Sequence, residues 1–338
     1  MELREALRAT LNGETLDRDQ ARSVFAGALT EHTDPVLFGG LLTALAARGE
    51  TPDEIAGAAE ALRAAALPFE HPFEDAIDTC GTGGDGLGTF NISTASAIVA
   101  AAAGAHVVKH GNRSVSSACG SADLLEAAGV ALELEPTAAR VVLERVGITF
   151  LFAPRYHPAM RFAAPVRRSL GVRTLFNFLG PLCNPGAVRR QLLGVSDGSR
   201  VDAFVSVLEK LGCERGYVVH GAGGADELTL VGDNRCAPVG DAPAHEFTAS
   251  ALGLASASVE DLAGGDAAAN LALLVRLLGG ESGAVRDAVA LNTAAALVVA
   301  GIATDATDGV ARAVEALDSG AATAKLSAWI AVSREVCP

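Results

Sequence analysis

The sequence predicts an α/β domain with a smaller helical domain attached at its N-terminal end. Residues 1–66 have apolar side chains at helical spacing and no strand pattern. Residues 76–108 have the order strand, glycine-rich turn, helix, strand, which is one βαβ unit. Strands and helices continue to alternate between residues 122 and 220. A chain of 338 residues, half of them hydrophobic, contains enough apolar material for a large core and a smaller lobe.

The four helices expected in the first 66 residues are marked by their start signals. Side chains that cap a helix stand before a proline, or three residues before an acidic or amide side chain. The pairs are Asp17 with Gln20, Asp34 with Pro35, Thr51 with Pro52, and Thr51 with Glu54. Together with the spacing of Leu3, Leu7 and Leu11, they predict a helical domain over residues 1–66.

Two prolines, Pro68 and Pro72, predict a hinge at residues 67–72. The expected α/β domain then comprises residues 73–155 and 186–338. A helical segment near residues 160–180 is expected to return to the helical domain. A second hinge at Gly180–Gly186 suggests that the two domains close over a ligand and exclude water.

The remaining elements are predicted from apolar runs, their period and the turn residues between them. Strands are expected at residues 76–80, 106–108, 148–152, 191–195 and 216–220. Helices are expected at residues 91–103, 122–128, 137–145, 161–170 and 200–211. Residues 228–248 have a strand-like, turn-rich composition. The last ninety residues are expected to be helical at 266–279, 283–303 and 307–334.

Composition excludes several classes of function. A net charge of -14 argues against nucleic acid or an anionic membrane as the main partner, because both require a basic surface. The weakly polar run Ala288–Thr304 is too short for a membrane span, and the charged N-terminus is no signal peptide. Six cysteines without metal-ligand spacing indicate reduced thiols, and hence a cytoplasmic protein.

The glycine-rich turn Gly81–Gly88 is the strongest functional signal that the residues themselves give. Its sequence, Gly-Thr-Gly-Gly-Asp-Gly-Leu-Gly, lies between a predicted strand and a predicted helix. Glycines allow close backbone approach, and the free amides and dipole at the start of the helix attract an anion. Short polar side chains, including Thr89 and Asn91, surround this helix start. The turn therefore predicts a phosphate site, although a tight turn without a ligand is the simpler alternative.

The same turn matches the G-x-G-x-x-G pattern of dinucleotide-binding proteins. That fold requires an acidic residue at the end of the second strand to hold a ribose hydroxyl. Here the second strand leads into Lys109-His110-Gly111-Asn112-Arg113, which is cationic and polar. The loop suits a phosphate or carboxylate better than NAD, and leaves an NADP enzyme as a minor alternative.

Five ordered motifs resemble those of the anthranilate phosphoribosyltransferase family. They are Asp78–Ala97, Lys109–Val130, Tyr156–Met160, Arg167–Pro185, and His220-Gly221 with Asp226-Glu227. The resemblance covers nearly the whole chain. It implies the fold of nucleoside-phosphorylase-like phosphoribosyltransferases, in which the active-site cleft lies between a small helical domain and a larger α/β domain with a central sheet flanked by helices. It also implies a homodimer joined through the helical domains.

The resemblance implies that phosphoribosyl pyrophosphate is the donor of the transferred group. The residues expected to bind it are Gly81, Thr82, Gly83, Gly84, Asp85, Thr89, Asn91, Ile92, Ser93, Thr94, Lys109, His110, Gly111, Asn112, Ser117, Cys119, Gly120 and Ser121. Lys109 can reach a phosphate as a point charge. Ser121 and Asp123 have an equally good alternative role, which is to cap the next helix.

The acceptor implied by the resemblance is anthranilate, a small aromatic amine with a carboxylate. The residues expected to bind it are Gly81, His110, Asn112, Tyr156, His157, Pro158 and Arg167. An arginine binds a carboxylate through a planar fork, and Arg168 and Arg173 are rivals of Arg167 for that role. An aryl amine is neutral near pH 7, so we expect His110 to orient the acceptor more than to remove its proton.

A divalent ion is expected to assist the departure of pyrophosphate. Asp226 and Glu227 follow a strand and a glycine run, and carboxylate oxygens on a flexible loop suit Mg²⁺ together with substrate phosphates. The resemblance implies Ser93, Asp226 and Glu227 as metal ligands, with two Mg²⁺ ions bound alongside the donor. A pyrimidine nucleoside phosphorylase and a nucleic-acid-binding relative are the remaining alternatives, and the glycine turn and the acidic charge argue against them.

Overall fold

The described part of the chain, residues 1–114 and 118–337 of a computed structural model, begins with four helices. They are α1 (Leu3–Leu11), α2 (Arg18–Ala28), α3 (Pro35–Arg48) and α4 (Pro52–Ala64). The predicted caps are present. Asp17 and Thr51 accept hydrogen bonds from the third residue of their helices, and each helix returns a side-chain bond to the cap backbone.

A six-stranded sheet follows, with strand order β3-β2-β1-β4-β5-β6. The strands are β1 (Ile77–Gly81), β2 (Val107–Gly111), β3 (Ile148–Phe152), β4 (Arg190–Gly194), β5 (Arg215–His220) and β6 (Arg235–Gly240). All pairs are parallel except β5 with β6. The winding direction reverses between β1 and β4, and ligands of open α/β sheets bind beside the carboxyl ends of strands at such a point.

Eleven further helices lie in the described residues after the first strand. They are α5 (Ile92–Ala102), α6 (Ser121–Ala128), α7 (Pro136–Val146), α8 (Ala153–Tyr156), α9 (Met160–Leu170), α10 (Phe176–Leu179), α11 (Val201–Lys210), α12 (Ala267–Leu278), α13 (Ala284–Ala300), α14 (Ala306–Asp318) and α15 (Ala321–Glu335). Short 3₁₀ turns occur at Gly180–Leu182, Gly198–Arg200 and Glu260–Leu262. Helix α13 is almost entirely buried and packs on α5 and on β1, β4 and β5.

Two apolar cores lie on opposite sides of the sheet. One contains α5, α13 and the neighbouring helices of the α/β region. The other contains α1–α4 together with Ala163 and Val166 of α9, and it extends to Leu193 of β4 and Val218 of β5. The helical N-terminal region therefore shares its apolar interior with one face of the sheet. Ion pairs at Arg200–Glu50 and Lys210–Asp53 lie at the same contact.

The predicted fold class is confirmed, but one prediction of secondary structure was wrong in detail. The helix expected at 307–334 is two helices, α14 and α15, because Gly320 has a positive φ of 77° that ends the helical path. Residues 228–248 contain strand β6 between bends and irregular backbone, which agrees with their strand-like, turn-rich composition. Among the described residues, no helix combines the length and apolarity needed to cross a bilayer.

Candidate active site

The glycine-rich turn leaves the carboxyl end of β1 at the centre of the sheet. Gly83, Gly84, Gly86 and Gly88 have positive φ values of 67°, 75°, 75° and 65°, a conformation that side chains disfavour. Gly81 is required for a different reason, because a Cβ there would collide with the carboxylate of Asp226. The turn is thus shaped for close approach of backbone to a ligand and to the acidic loop.

A segment that sequence reasoning missed supports the far end of this turn. Thr89 forms an antiparallel bridge with Ala263, and the Phe90 amide donates to the Leu262 carbonyl at 2.8 Å. The Asn91 amide donates to the buried Oδ1 of Asn270, on α12, at 3.3 Å. Residues 260–270 therefore hold the entry to α5. Asn91 and Asn270 are 179 positions apart in the chain, so no local sequence pattern connects the two segments.

The acidic pair lies against the start of α5. The Ser93 amide donates to Oε1 of Glu227 at 3.0 Å, and the Gly83 amide donates to Oδ2 of Asp226 at 2.6 Å. Burial and the neighbouring Asp85 raise the pKa of Asp226, and burial and Asp226 raise the pKa of Glu227. The helix start and the glycine turn thus face a concentration of negative charge.

This carboxylate group has the chemistry of a hard-cation site. Asp85 adds a buried Oδ2 that has no hydrogen-bond partner among the described residues. No cluster of three or more His, Cys, Asp or Glu side chains with metal-ligand geometry occurs in the described ranges. A Mg²⁺ ion held by Asp226 and Glu227 would therefore need oxygens from water and from substrate phosphates, which is its usual coordination in phosphoryl sites.

Lys109 is buried and lies beneath the start of α5. Its Nζ donates to the Thr79 carbonyl and lies 3.4 Å from Oγ of Ser93. Its side chain is only 2% exposed, and its charge lowers the pKa values of Glu227 and Asp78 against the effect of burial. The sequence predicted a cation at this position, but it did not predict that the cation would be enclosed with carboxylates.

Other predicted donor-site residues contact the same turn and helix. The side chain of Ile92 is in the apolar core, whereas Thr94 is buried and its Oγ1 has no partner in the part of the chain that the structure describes. Thr82 lies 3.4 Å from Ser196 on the loop after β4. Nδ2 of Asn91 donates to the Cys119 carbonyl at 3.1 Å, which brings the loop after β2 to the helix start. Ser117 lies outside the described residues.

The loop after β2 leads directly into α6. Oγ of Ser121 donates to the Asn112 carbonyl at 3.2 Å, and Gly111 has no room for a Cβ because Ser121 and Phe150 lie against it. The carboxylate of Asp123 accepts from the amides of Gly120 and Ser114. Asp123 thus makes the helix-start contacts that were the alternative to a ligand role.

Two buried histidine rings lie side by side near the Gly180 turn. The rings of His110 and His157 have centroids 5.0 Å apart, and both side chains are buried. Burial, together with the second ring, lowers the pKa of His110 to about 3, and burial lowers the pKa of His157 to about 4. Nδ1 of His110 lies 3.2 Å from the Gly180 carbonyl, and Nε2 has no partner among the described residues. A neutral ring that donates from Nδ1 leaves Nε2 as a hydrogen-bond acceptor.

The turn Gly180–Leu182, predicted as part of a hinge, is fastened at three successive carbonyls. His110 holds the Gly180 carbonyl, Nε2 of Gln191 donates to Pro181 at 2.6 Å, and Nε of Arg63 donates to Leu182 at 2.6 Å. These side chains come from β2, β4 and α4. The turn therefore joins the helical region to strands β2 and β4.

A second buried contact holds the end of the same segment. Nδ2 of Asn184 donates to Oδ2 of Asp78 at 2.8 Å, and the His110 amide lies 3.3 Å from Oδ1. Burial raises the pKa of Asp78. The sequence analysis did not identify Asp78 and Asn184 as structural supports. A usable signal was present, because Asp78 is a charged residue within an apolar strand and therefore needs a buried polar partner.

The three candidate arginines have different environments. Arg167, on α9, is half-buried, its guanidinium lies 5.4 Å from the ring centre of Phe176, and burial lowers its pKa. Arg168 is exposed. Arg173 donates to the Gly84 carbonyl at 2.9 Å and lies 3.4 Å from that of Gly83. Arg167 therefore has the half-buried charge, whereas Arg173 supports the glycine turn.

The remaining acceptor-site candidates, Tyr156 and Pro158, differ in burial. Tyr156 is fully buried beside Phe69, and burial raises its pKa. Its hydroxyl has no hydrogen-bond partner within residues 1–114 and 118–337. Pro158 is exposed. The contacts of the described residues bring His110, His157 and the Gly180 turn together, but they do not join Arg167 or Pro158 to them.

Comparison with known proteins gives the family of this chain. Residues 4–66 match the model of the glycosyl transferase family, helical bundle domain, and residues 73–323 match its a/b domain. The chain is 48% identical to an anthranilate phosphoribosyltransferase of Roseiflexus sp. over 99% of both chains. It is also 48% identical to one of Myxococcus xanthus over 98% of both. The chain belongs to the anthranilate phosphoribosyltransferase family.

Solved structures of this family have the same fold. A crystal structure of anthranilate phosphoribosyltransferase from Thermus thermophilus is 47% identical, with a TM-score of 0.92 over 97% of this chain and 99% of that one. The enzyme from Saccharomyces cerevisiae, in complex with PRPP and Mg, has a TM-score of 0.89 over 98% of both chains. At 24% identity, that second likeness shows the fold alone.

Proposed function

We propose that this protein transfers the phosphoribosyl group of phosphoribosyl pyrophosphate to the amine of anthranilate. The products are N-(5-phosphoribosyl)anthranilate and pyrophosphate, and the reaction is the second step of tryptophan biosynthesis from chorismate. The observation that carries the proposal is the convergence, at the carboxyl end of β1, of the glycine turn, the start of α5 and the Asp226–Glu227 pair. The relatives described above have this activity in their names.

The donor occupies the amide-lined turn. Backbone N–H groups of Gly81–Gly84 and of the α5 start offer hydrogen bonds to pyrophosphate oxygens, and the helix dipole favours the negative charge. Thr89, Asn91, Thr94 and the loop to Ser121 hold the sugar and its phosphate. Domain closure, at the proposed hinge of residues 67–72 and at Gly180–Gly186, excludes water that would otherwise hydrolyse the donor.

Asp226, Glu227 and Ser93 would hold Mg²⁺, with two ions proposed. Burial, and after it the neighbouring carboxylates, raise the pKa values of the two carboxyls, and a divalent cation would offset both effects. When bound, Mg²⁺ neutralises the leaving pyrophosphate. The buried ammonium group of Lys109 lies 3.4 Å from Oγ of Ser93, and its positive charge partly balances the negative charge of Glu227.

The acceptor lies between the histidine pair and the helical domain. Nε2 of His110 accepts a hydrogen bond from the amine and orients it, and Arg167 binds the carboxylate. The amine nitrogen attacks C1 of the ribose while the bond from C1 to the pyrophosphate oxygen breaks. Pyrophosphate leaves with that electron pair, and the nitrogen loses one proton to pyrophosphate or water. With its pKa lowered to about 3, His110 is a poor base for that proton.

A second copy of the chain covers an apolar groove on the helical domain. The groove lies between α1, α3 and α9 and is lined mainly by apolar side chains, among them Leu7, Val36 and Leu170. Val36 is 80% exposed and Leu11 is 69% exposed, which is unusual for side chains of one surface patch in a monomer. These features support a homodimer joined through the helical domains.

The domain division and the location of the enzyme complete the proposal. We divide the chain into a helical domain, residues 1–66 with the segment near 160–180, and an α/β domain, residues 73–155 and 186–338. The six cysteines all lie in the described residues and none forms a disulfide. The lack of a disulfide among the described residues supports a reducing compartment, the cytoplasm.

One assay tests the function. The fluorescence of anthranilate is followed on mixing with phosphoribosyl pyrophosphate and Mg²⁺, with a metal-free control. Loss of fluorescence that requires both donor and metal supports the proposal. Phosphorolysis of a pyrimidine nucleoside without any transfer to anthranilate would instead assign the site to a nucleoside phosphorylase.

A further inference from the structure

The acidic pair is carried by a loop outside the six strands, and Gly194 at the end of β4 lies against the Asp226 backbone. The loop runs from Gly221 to Thr229, and Gly223 and Gly224 have positive φ values of 88° and 94°. Two backbone hydrogen bonds close its first turn, from the Gly221 amide to the Ala225 carbonyl at 2.9 Å and from the Gly224 amide to the Gly221 carbonyl at 3.1 Å. A glycine-rich loop of this kind needs other contacts to fix the two carboxylates.

A side-chain amide of α13 supplies that contact. Oδ1 of Asn292 accepts from the Leu228 amide at 3.0 Å, and its Nδ2 donates to the Leu228 carbonyl at 2.8 Å. Both side chains are buried. Asn292 therefore pairs with both backbone groups of the residue directly after Glu227, as a neighbouring strand would in a sheet.

The next residue is held in the same way from the other side. Oδ1 of Asn234 accepts from the Thr229 amide at 3.0 Å, and its Nδ2 donates to the Thr229 carbonyl at 2.8 Å. Asn234 also accepts from the Ala222 amide at 3.1 Å. The backbone after the acidic pair is thus fixed by two asparagine side chains in place of strand partners.

Helix α13 also supports the other half of the metal site. Oγ of Ser96 on α5 lies 3.3 Å from the Val289 carbonyl of α13, one turn before Asn292. Asn292, Ser93, Asp226 and Glu227 line the same small space between the helices. One rigid, buried helix therefore sets the position of the acidic loop relative to the start of α5.

We propose that Asn292 is a positioning residue for the metal site: its side-chain amide fixes the Leu228 backbone so that Glu227 faces Ser93 and Asp226 faces the glycine turn. The inference rests on the proposed function, because it assumes that these carboxylates bind the divalent ion. Residues that orient metal ligands from outside change metal affinity by about 10- to 100-fold when they are replaced.

The test measures metal affinity directly in the full chain. Mn²⁺ binding is followed by electron paramagnetic resonance in the presence of inorganic pyrophosphate, for wild type, Asn292→Leu and Asn292→Ser. The serine variant avoids inserting apolar bulk and replaces the leucine variant if that one does not fold. We expect both variants to bind Mn²⁺ about 10- to 100-fold more weakly, and the Mg²⁺ requirement of turnover to rise in the same proportion.

Thr293→Val is the matched control. Thr293 is the next residue of α13, equally buried, and its Oγ1 has no hydrogen-bond partner among the described residues. This variant and wild type should bind Mn²⁺ equally, and anthranilate affinity should be the same in all variants. A folded Asn292 variant whose Mn²⁺ affinity is within twofold of wild type overturns the inference alone. Wild type that binds no Mn²⁺ with pyrophosphate overturns the proposed metal site itself, and the inference with it.

Discussion

The carboxylate of Asp226 accepts a hydrogen bond from the amide of Gly83, with 2.6 Å between Oδ2 and the nitrogen. Oε1 of Glu227 likewise accepts a hydrogen bond from the Ser93 amide. These are amides that the proposed mechanism gives to the donor's phosphates. Carboxylate and phosphate therefore compete for the same hydrogen bonds unless a cation draws the carboxylates to itself, which ties donor binding to metal binding.

The first prediction concerns the acidic pair. Asp226→Asn combined with Glu227→Gln should lower Mg²⁺-dependent turnover by more than about 100-fold, because the leaving group is no longer neutralised. The fold should be kept, since amides can accept the same two backbone hydrogen bonds. Steady-state assays and circular dichroism measure the two effects. Asp233→Asn, an exposed acid near the loop, is the control. Unchanged turnover in the double variant would remove the pair from the mechanism.

The second prediction concerns the pH dependence of stability without metal. The folded-state pKa values of Asp226 and Glu227 are raised, so the folded protein binds protons that the unfolded chain releases. Their contribution to stability is complete below the unfolded values, about pH 4, and is lost as pH rises through the raised folded values. The melting temperature of wild type, relative to the Asn/Gln double variant, should fall as pH rises. A difference that is constant with pH would contradict the assigned shifts.

The third prediction distinguishes the candidate arginines. Arg167→Ala should raise the KM for anthranilate by about tenfold or more, as expected for loss of a charged hydrogen bond worth ~1.5–3 kcal/mol. The KM for the donor should change little. Arg168→Ala, on the exposed neighbour, should leave both values unchanged. Equal effects of Arg167→Ala on both substrates would place the carboxylate contact elsewhere.

The fourth prediction tests the close approach at Gly81. Gly81→Ala introduces a Cβ that collides with the Asp226 carboxylate and displaces it. We expect kcat/KM for the donor to fall by about 100-fold, the scale of a misplaced catalytic group. Gly27→Ala is the control, because a Cβ there meets no atom within 4 Å. Wild-type kinetics in Gly81→Ala would show that this contact is dispensable.

The fifth prediction concerns His110. Its pKa is lowered to about 3, so the ring should remain neutral from pH 8 down to about pH 5, with the proton on Nδ1 facing the Gly180 carbonyl. Because the folded value is depressed, the associated stability is present above the unfolded pKa of about 6.5 and is lost as pH falls toward the folded value. Nitrogen-15 NMR of the labelled ring reports both tautomer and charge. A protonated ring at pH 6.5 would be inconsistent with this environment.

Local chemistry made most of the fold predictable. Three kinds of feature depend only on residues close in sequence, and they lie where the sequence predicts them. They are the helix caps at Asp17 and Thr51, the glycine turn, and the apolar strand at residues 148–152. The break at Gly320 was missed because one glycine in an apolar, helical pattern does not by itself end a helix.

The site was predictable only in part, for a related reason. Asn184 and Asn292 form hydrogen bonds with Asp78 and Leu228, which are more than 60 positions away in the chain. No pattern in the residues next to either asparagine predicts these partners. The burial of Lys109 likewise results from three strands and a helix packing around it. Pattern reasoning indicates which chemistry a chain contains, whereas long-range packing decides which side chains support it.

The apolar interior shared by the helical region and the sheet has a consequence for how the chain folds. The helices α1–α4 cover Leu193 and Val218 of the sheet, and the sheet in turn covers the apolar inner face of these helices. A polypeptide cut between residues 66 and 73 would leave both fragments with uncovered apolar surface, so neither is an autonomous folding unit. The two segments should melt in one cooperative transition, and each fragment should become soluble only when it is expressed together with the other.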